Sequence, residues 1–143
     1  MVTMTALQTA APTAKTIRLV HAAMITGVLL FGLVGHFVLR PSMADAADLP
    51  AALVRVLLGV SLGACALSLL LRKRIPRRST DESADLFWRT AATPALVTWA
   101  LVEGATLLAV FLYARTGAQG AIAVASFAIL LFVVLNPAYL ERR

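Results

Sequence analysis

Four residues of this chain have side chains that could do chemistry in apolar surroundings: Glu103, His21, His36 and Cys65. Glu103 lies almost at the midpoint of an apolar run, Ala95 to Ala114. On an insertion scale a mid-bilayer acid costs about 2.5–3.5 kcal/mol if it behaves like aspartate; otherwise it is carried neutral with a raised pKa. The Leu, Val and Phe residues of the run return roughly 3–5 kcal/mol at a few tenths each, so the segment can insert. The acid is then expected to face a bundle interior or a partner, bonded to Thr26, Ser61, Thr98, Thr106 or a histidine. Trp99 is one turn back on the same face, and Gly104 leaves room beside the carboxyl group. Two readings follow: a proton- or cation-binding carboxylate, or a neutral acid that bonds two helices together. Arg55 lies one turn into its run, close enough to the end to snorkel to the headgroups, and no other acid or strong base is expected at mid-membrane with Glu103, which favours the second.

His21 and His36 invite a haem or pigment reading, because histidine is a usual axial ligand. Fifteen residues at about 1.5 Å each set them roughly 22 Å apart on one helix, too far for one chain to clamp a haem between them. A single axial ligand, or ligation shared by two subunits, stays open. The plainer reading is two imidazoles at interfacial depth, with His21 the better partner for lipid phosphate. Cys65, within an apolar run, reads as a small core residue. There is no glycine-rich phosphate loop, no paired metal-ligand spacing and no nucleophile beside a base, so catalysis is not expected and no metal or other cofactor is identified.

The elements that must position these residues follow from composition. Of 143 residues, 60% are hydrophobic and 14% charged, with a formal net charge of +6. Soluble domains run at roughly 45–50% apolar and about 25% charged, so a bilayer is the fitting solvent. Crossing about 30 Å of hydrocarbon takes about 20 apolar residues, and the chain has room for four crossings with short connections. The expected fold is an all-α four-helix transmembrane bundle: a disordered tail over 1–14, then one domain over 15–143. Its crossings are at about 19–39, 51–71, 95–114 and 118–135, with a basic connection over 72–94. Pro50 and Pro94 suit first helical turns, with Asp48 and Thr93 ahead of them, and Asn136-Pro137 stops the last crossing. Lys15 and Arg18 before an apolar run could imitate a signal peptide, but 21 residues exceed the typical h-region of about 7–15.

Lys15, Arg18, Arg72, Lys73, Arg74, Arg77, Arg78, Arg89, Arg142 and Arg143 fall on one side, against Arg40, Arg55 and Arg115 on the other. The positive-inside rule then makes both termini cytoplasmic in a multi-pass protein of the bacterial inner membrane. Beside a membrane segment, Arg72, Lys73, Arg74, Arg77 and Arg78 need no nucleic acid; anionic lipid headgroups suffice. Ser79 and Glu82 have capping-box spacing, and residues 80–90 read either as an interfacial helix with Trp88 at headgroup depth or as a loop whose Trp88 anchors the third crossing. In lipid, helices associate through small residues. Gly59 and Gly63 form a G-x-x-x-G step, Gly27 and Gly104 mark the first and third crossings, and Ala121, Ala125, Ser126 and Ala128 mark the fourth. These faces suit packing within one bundle or docking of another membrane subunit.

The segments IRLVHAAMITGVLLFGLV (17–34), WALVEGATLLAVFLYARTG (99–117) and LNPAYLER (135–142) resemble a family of bacterial four-helix membrane proteins of this size with no established activity. Leu101, Glu103, Gly104, Thr116 and Gly117 fill that family's Leu-x-Glu-Gly and Thr-Gly positions, while Asn136-Pro137 stands where the family more often has Arg-Pro. The resemblance implies the topology and weight on Glu103, without chemistry. An acid beside glycine is also similar to rotor proteolipids of ATP synthases, but only one hairpin here carries it. His21 before Thr26-Gly27 faintly resembles succinate dehydrogenase anchors, whose haem histidine lies in a second crossing that has none here. The function expected is that of a small non-catalytic subunit of a larger respiratory or photosynthetic complex. A proteolipid using Glu103 and a haem- or pigment-bearing anchor using His21 or His36 are the alternatives.

Overall fold

The computed structural model describes residues 12–43 and 49–142. Residues 1–11 of the expected tail, Asp48 ahead of Pro50, and Arg143 lie outside that set. Among the described residues every regular element is helical. Helix α1 is Ala14–Ser42, α2 is Ala51–Arg74 and α3 is Ala84–Thr116, and each is long and apolar enough to cross a membrane. Helix α4, Gln119–Val134, is apolar but has 16 residues, about 24 Å against a hydrocarbon core of about 30 Å. A short α5, Pro137–Glu141, follows.

The helix ends have local causes. Thr13 accepts a hydrogen bond from the Thr16 N–H and caps α1. Ser83 does the same for the Leu86 N–H, with Asp85 in the first turn of α3 where the helix dipole favours an acid. Gly117 stops α3 in the left-handed conformation, φ 66°, which glycine adopts without a Cβ clash. Asn136 caps α5 and Pro137 takes its first turn.

Two sequence expectations change here. The third helix begins at Ala84, not near residue 95, and runs straight through Pro94. Proline removes the bond to the Thr90 carbonyl without ending a helix that its neighbours hold on both sides. Ser79 and Glu82 do pair, Ser79 N–H to Glu82 Oε2 at 3.3 Å, but they close a turn ahead of α3 and cap nothing.

Inside α1 the residues Gly35–Leu39 form a π turn, in which the Arg40 N–H reaches back to the Gly35 carbonyl. Two features produce it. A Cβ on Gly35 would lie 2.8 Å from Val110 Cγ1, so α1 and α3 approach closely there. Pro41 has no N–H to give to the turn before it, which favours a wider turn over a regular one.

Helix α3 is the hub, packed on α2, α4 and α1, whereas α1 and α4 scarcely touch along their backbones. Half of the apolar window of α3 is buried, against 11% for α1 and 17% for α2. The outward surface is strongly apolar: Leu19 and Phe37 are each 69% exposed, with Leu30, Leu33, Val56, Leu70 and Leu130 also open. An apolar face of this extent belongs in lipid or against a partner. Helices α1 and α3 run parallel, α2 and α4 return, and the described chain ends where α1 starts: Arg18 of α1 pairs with Glu141 of α5.

Small residues line the contacts, on α4 the expected alanines but elsewhere not the expected glycines Gly27, Gly59, Gly63 and Gly104. Nothing lies within 4 Å of a Cβ placed on Gly27, Gly59, Gly63 or Gly104. The buried stripe of α2 is instead Ser61, Cys65 and Ser68, one and two turns apart, and α3 turns Ala91, Ala95, Ala105 and Ala109 inward. Ala121, Ala125 and Ala128 of α4 are buried, while Ser126 is exposed.

Candidate functional site

Three polar places stand out. The first is Glu103, one turn after Trp99 on α3 and only partly buried. The hydroxyls expected to bond it are turned back on their own helices: Ser61 to the Leu57 carbonyl, Thr98 to Pro94 and Thr106 to Val102, at 2.7–3.1 Å. Thr26 is on the exposed side of α1. Among the described residues Glu103 therefore has no hydrogen-bond or ion-pair partner, contrary to the expectation of an internal bond. A hydroxyl in a helix finds the carbonyl one turn back more readily than a partner across an interface. No group of three or more His, Cys, Asp or Glu side chains that could hold a metal ion occurs among the described residues.

The second place is the end where α1 begins. Glu141 is the centre: its Oε1 accepts from Arg18 Nε at 3.3 Å and from the Trp88 indole N–H at 2.8 Å, and its Oε2 from Arg18 Nη2 at 2.5 Å. Burial pushes the Glu141 carboxyl up, but the bonds from Arg18 and Trp88 and the charges of Arg18 and Arg78 together outweigh it and hold the group below its usual 4.5. The Ala14 N–H, an orphan of the first turn of α1, donates to Asp85 of α3 at 2.8 Å. Arg72 donates to the Tyr139 hydroxyl at 3.1 Å with its guanidinium over the ring. Arg78 donates to the Glu82 carbonyl at 2.8 Å. Lys73, Arg74 and Arg77 are exposed. Trp88, expected at headgroup depth, is instead fully buried between Phe87 and Trp99, because its N–H has an acceptor in the bundle.

The same economy governs His21. It is 5% exposed, its Nε2 is 3.2 Å from the Phe132 carbonyl, and its ring stands edge-on to Trp99 and Phe132. It is therefore no partner for lipid phosphate, and a planar macrocycle on His21 would have to displace both aromatic rings.

The third place is the opposite end. The π turn sets His36 and Arg40 on the side of α1 facing Tyr113 of α3. His36 Nδ1 is 2.9 Å from the Tyr113 hydroxyl, with the two rings nearly parallel at 5.9 Å. Arg40 donates to the same hydroxyl and lies 4.9 Å over the ring. Its guanidinium also passes close to Gly117, where a Cβ would lie 3.4 Å from Nη2. Sequence reasoning found His36 and missed Tyr113 and Arg40; the signal was Gly35 and Pro41 bracketing a histidine and an arginine four residues apart. A cleft of about 240 Å³ opens beside this trio, lined by Gly32, Val110, Ile122, Ala125, Ser126 and Ile129.

No family model matches the chain, and no curated protein and no solved structure matches it. Among the described residues every regular element is helical, and three helices are long and apolar enough to cross a membrane.

Proposed function

We propose that this chain is a non-catalytic, multi-pass protein of the bacterial cytoplasmic membrane that serves as an accessory subunit of a larger membrane complex, respiratory or photosynthetic. All four apolar helices cross, with both termini and the basic connection in the cytoplasm; the excess of lysine and arginine at the end marked by Arg18, Arg72 and Arg89 supports that orientation. The resemblance to bacterial four-helix membrane proteins with Leu-x-Glu-Gly in the third crossing fits the same reading.

The observation that carries it is Glu103. An acid part-way along an apolar helix, partly exposed and without a partner among the described residues, costs about 2.5–3.5 kcal/mol if only acyl chains meet it. A donor from another subunit removes that cost. Purification of the tagged chain in a mild detergent tests this: partner subunits should travel with the native chain and be lost from Glu103→Leu. A monodisperse single protomer with no companion overturns it.

The same unpartnered carboxyl supports a second reading, a proteolipid in which Glu103 takes up and releases a proton or cation. Labelling of Glu103 by a hydrophobic carbodiimide that is suppressed at high pH or by sodium selects it, and inertness across pH removes it. An absorption spectrum of purified protein decides the third alternative, a haem or pigment on His36.

A further inference from the structure

We propose that the groove between α1 and α4 binds one anionic phospholipid, with an acyl chain in the groove and its phosphate on Arg40 and His36. The groove exists because both helices lean on α3 and their backbones scarcely approach each other. Below it the gap is closed by side chains, with His21 against Phe132 and with Val28 and Phe31 in apolar clusters that include α4 residues. Above these Gly32 gives α1 no side chain to close the gap, Ala125 and Ser126 give α4 small ones, and the cleft of about 240 Å³ results. Its remaining walls, Val110, Ile122 and Ile129, are aliphatic, and an apolar void beside lipid forfeits contacts that a hydrocarbon chain restores. The cleft reaches from His36 to Gly32 on α1 and from Ile122 to Ile129 on α4, about 6 Å and about 10 Å along the helices and so within the roughly 15 Å depth of one hydrocarbon leaflet. It holds the part of a chain nearest the headgroup.

The head of the groove specifies the ligand by what it leaves over. Arg40 has only donors, so it donates to the Tyr113 oxygen, and His36 Nδ1 lies at hydrogen-bond distance from the same hydroxyl. The guanidinium keeps further N–H groups that this hydroxyl does not use. No described carboxylate pairs with Arg40. A cation and a hydrogen-bond donor at the mouth of an apolar groove are complementary to a phosphate that carries a hydrocarbon chain, and not to a zwitterionic head whose own ammonium offsets the charge. The π turn supports this assignment, since wide turns of this kind occur preferentially at functional positions and this one places Arg40.

The inference rests on the chain lying in a bilayer, so the full chain is first shown to resist alkaline extraction from membranes. Release into the aqueous fraction would sink the membrane reading itself. Delipidated protein in detergent is then titrated with phosphatidylglycerol, phosphatidylcholine and inorganic phosphate, with bound lipid counted by native mass spectrometry. One phosphatidylglycerol per chain is expected, held at least tenfold more tightly than phosphatidylcholine, with no inorganic phosphate retained. Arg40→Gln should erase the preference between the two lipids. Gly32→Leu, which projects into open space and improves helix propensity, should block lipid uptake while leaving Arg40 in place. Equal binding of both lipids, competition by inorganic phosphate alone, or full binding by Gly32→Leu each overturns the site while leaving the membrane reading intact.

Discussion

The two ends of this bundle handle polar groups in opposite ways. At the end where α1 begins, Glu141 takes donors from Arg18 and Trp88, Asp85 takes the orphan N–H of Ala14, and Arg72 reaches Tyr139. At the other, His36, Arg40 and Tyr113 share one hydroxyl and leave donors over. One end ties four helices together across the chain's two halves; the other holds a helix tail to its neighbour and keeps hydrogen-bonding capacity in reserve. The comparison teaches that partners across the fold, not residue types, separate a clamp from a site: both ends carry arginine and an aromatic ring.

The largest expected effect lies at the closed end. Trp88→Ala removes a fully buried indole and should lower unfolding free energy by about 3–5 kcal/mol, read by equilibrium unfolding in detergent micelles. Next comes Glu141→Ala, which strands the Trp88 N–H and should cost about 1–3 kcal/mol. Because the Glu141 carboxyl is held below its usual 4.5, its stabilisation is complete above that value and fades as pH falls through the lower folded-state value. Glu141→Gln should flatten this acid limb, and an unchanged limb would show that the clamp is not electrostatic. Gly117→Ala, at φ 66° beside Arg40, should cost about 1–2 kcal/mol. The smallest effect is expected at the open end, where Tyr113→Phe should cost about 1 kcal/mol and leave the helices in place. If Tyr113→Phe destabilises as much as Trp88→Ala, the contrast between the ends is broken.

The apolar runs around residues 19–39, 51–71 and 95–114 were legible because length and hydropathy report directly on the solvent. The turn of each helix about its own axis was not. In a soluble bundle the inward face is the apolar one, whereas here both faces are apolar, so Gly59 and Gly63 drew attention that belonged to Ser61, Cys65 and Ser68. Trp88 misled for a related reason: tryptophan suits headgroup depth in general, and its acceptor, Glu141, lies fifty-three residues away. The start of α3 was hidden by Pro94, which reads as a first-turn residue until packing shows it inside a longer helix. Glu103 was placed on the right element, but its missing partner depends on where three hydroxyls turn, and spacing alone carries no such information.

The wide turn at Gly35–Leu39 amounts to one amino acid more than a regular turn would hold. Losing a single codon there would close the wide turn into ordinary helix and leave the tail near its present phase about the axis, so Arg40 would stay on the side that faces Tyr113. A codon lost anywhere else in α1 would turn everything beyond it by about 100°, so this corner is where the helix can absorb a frame-preserving deletion.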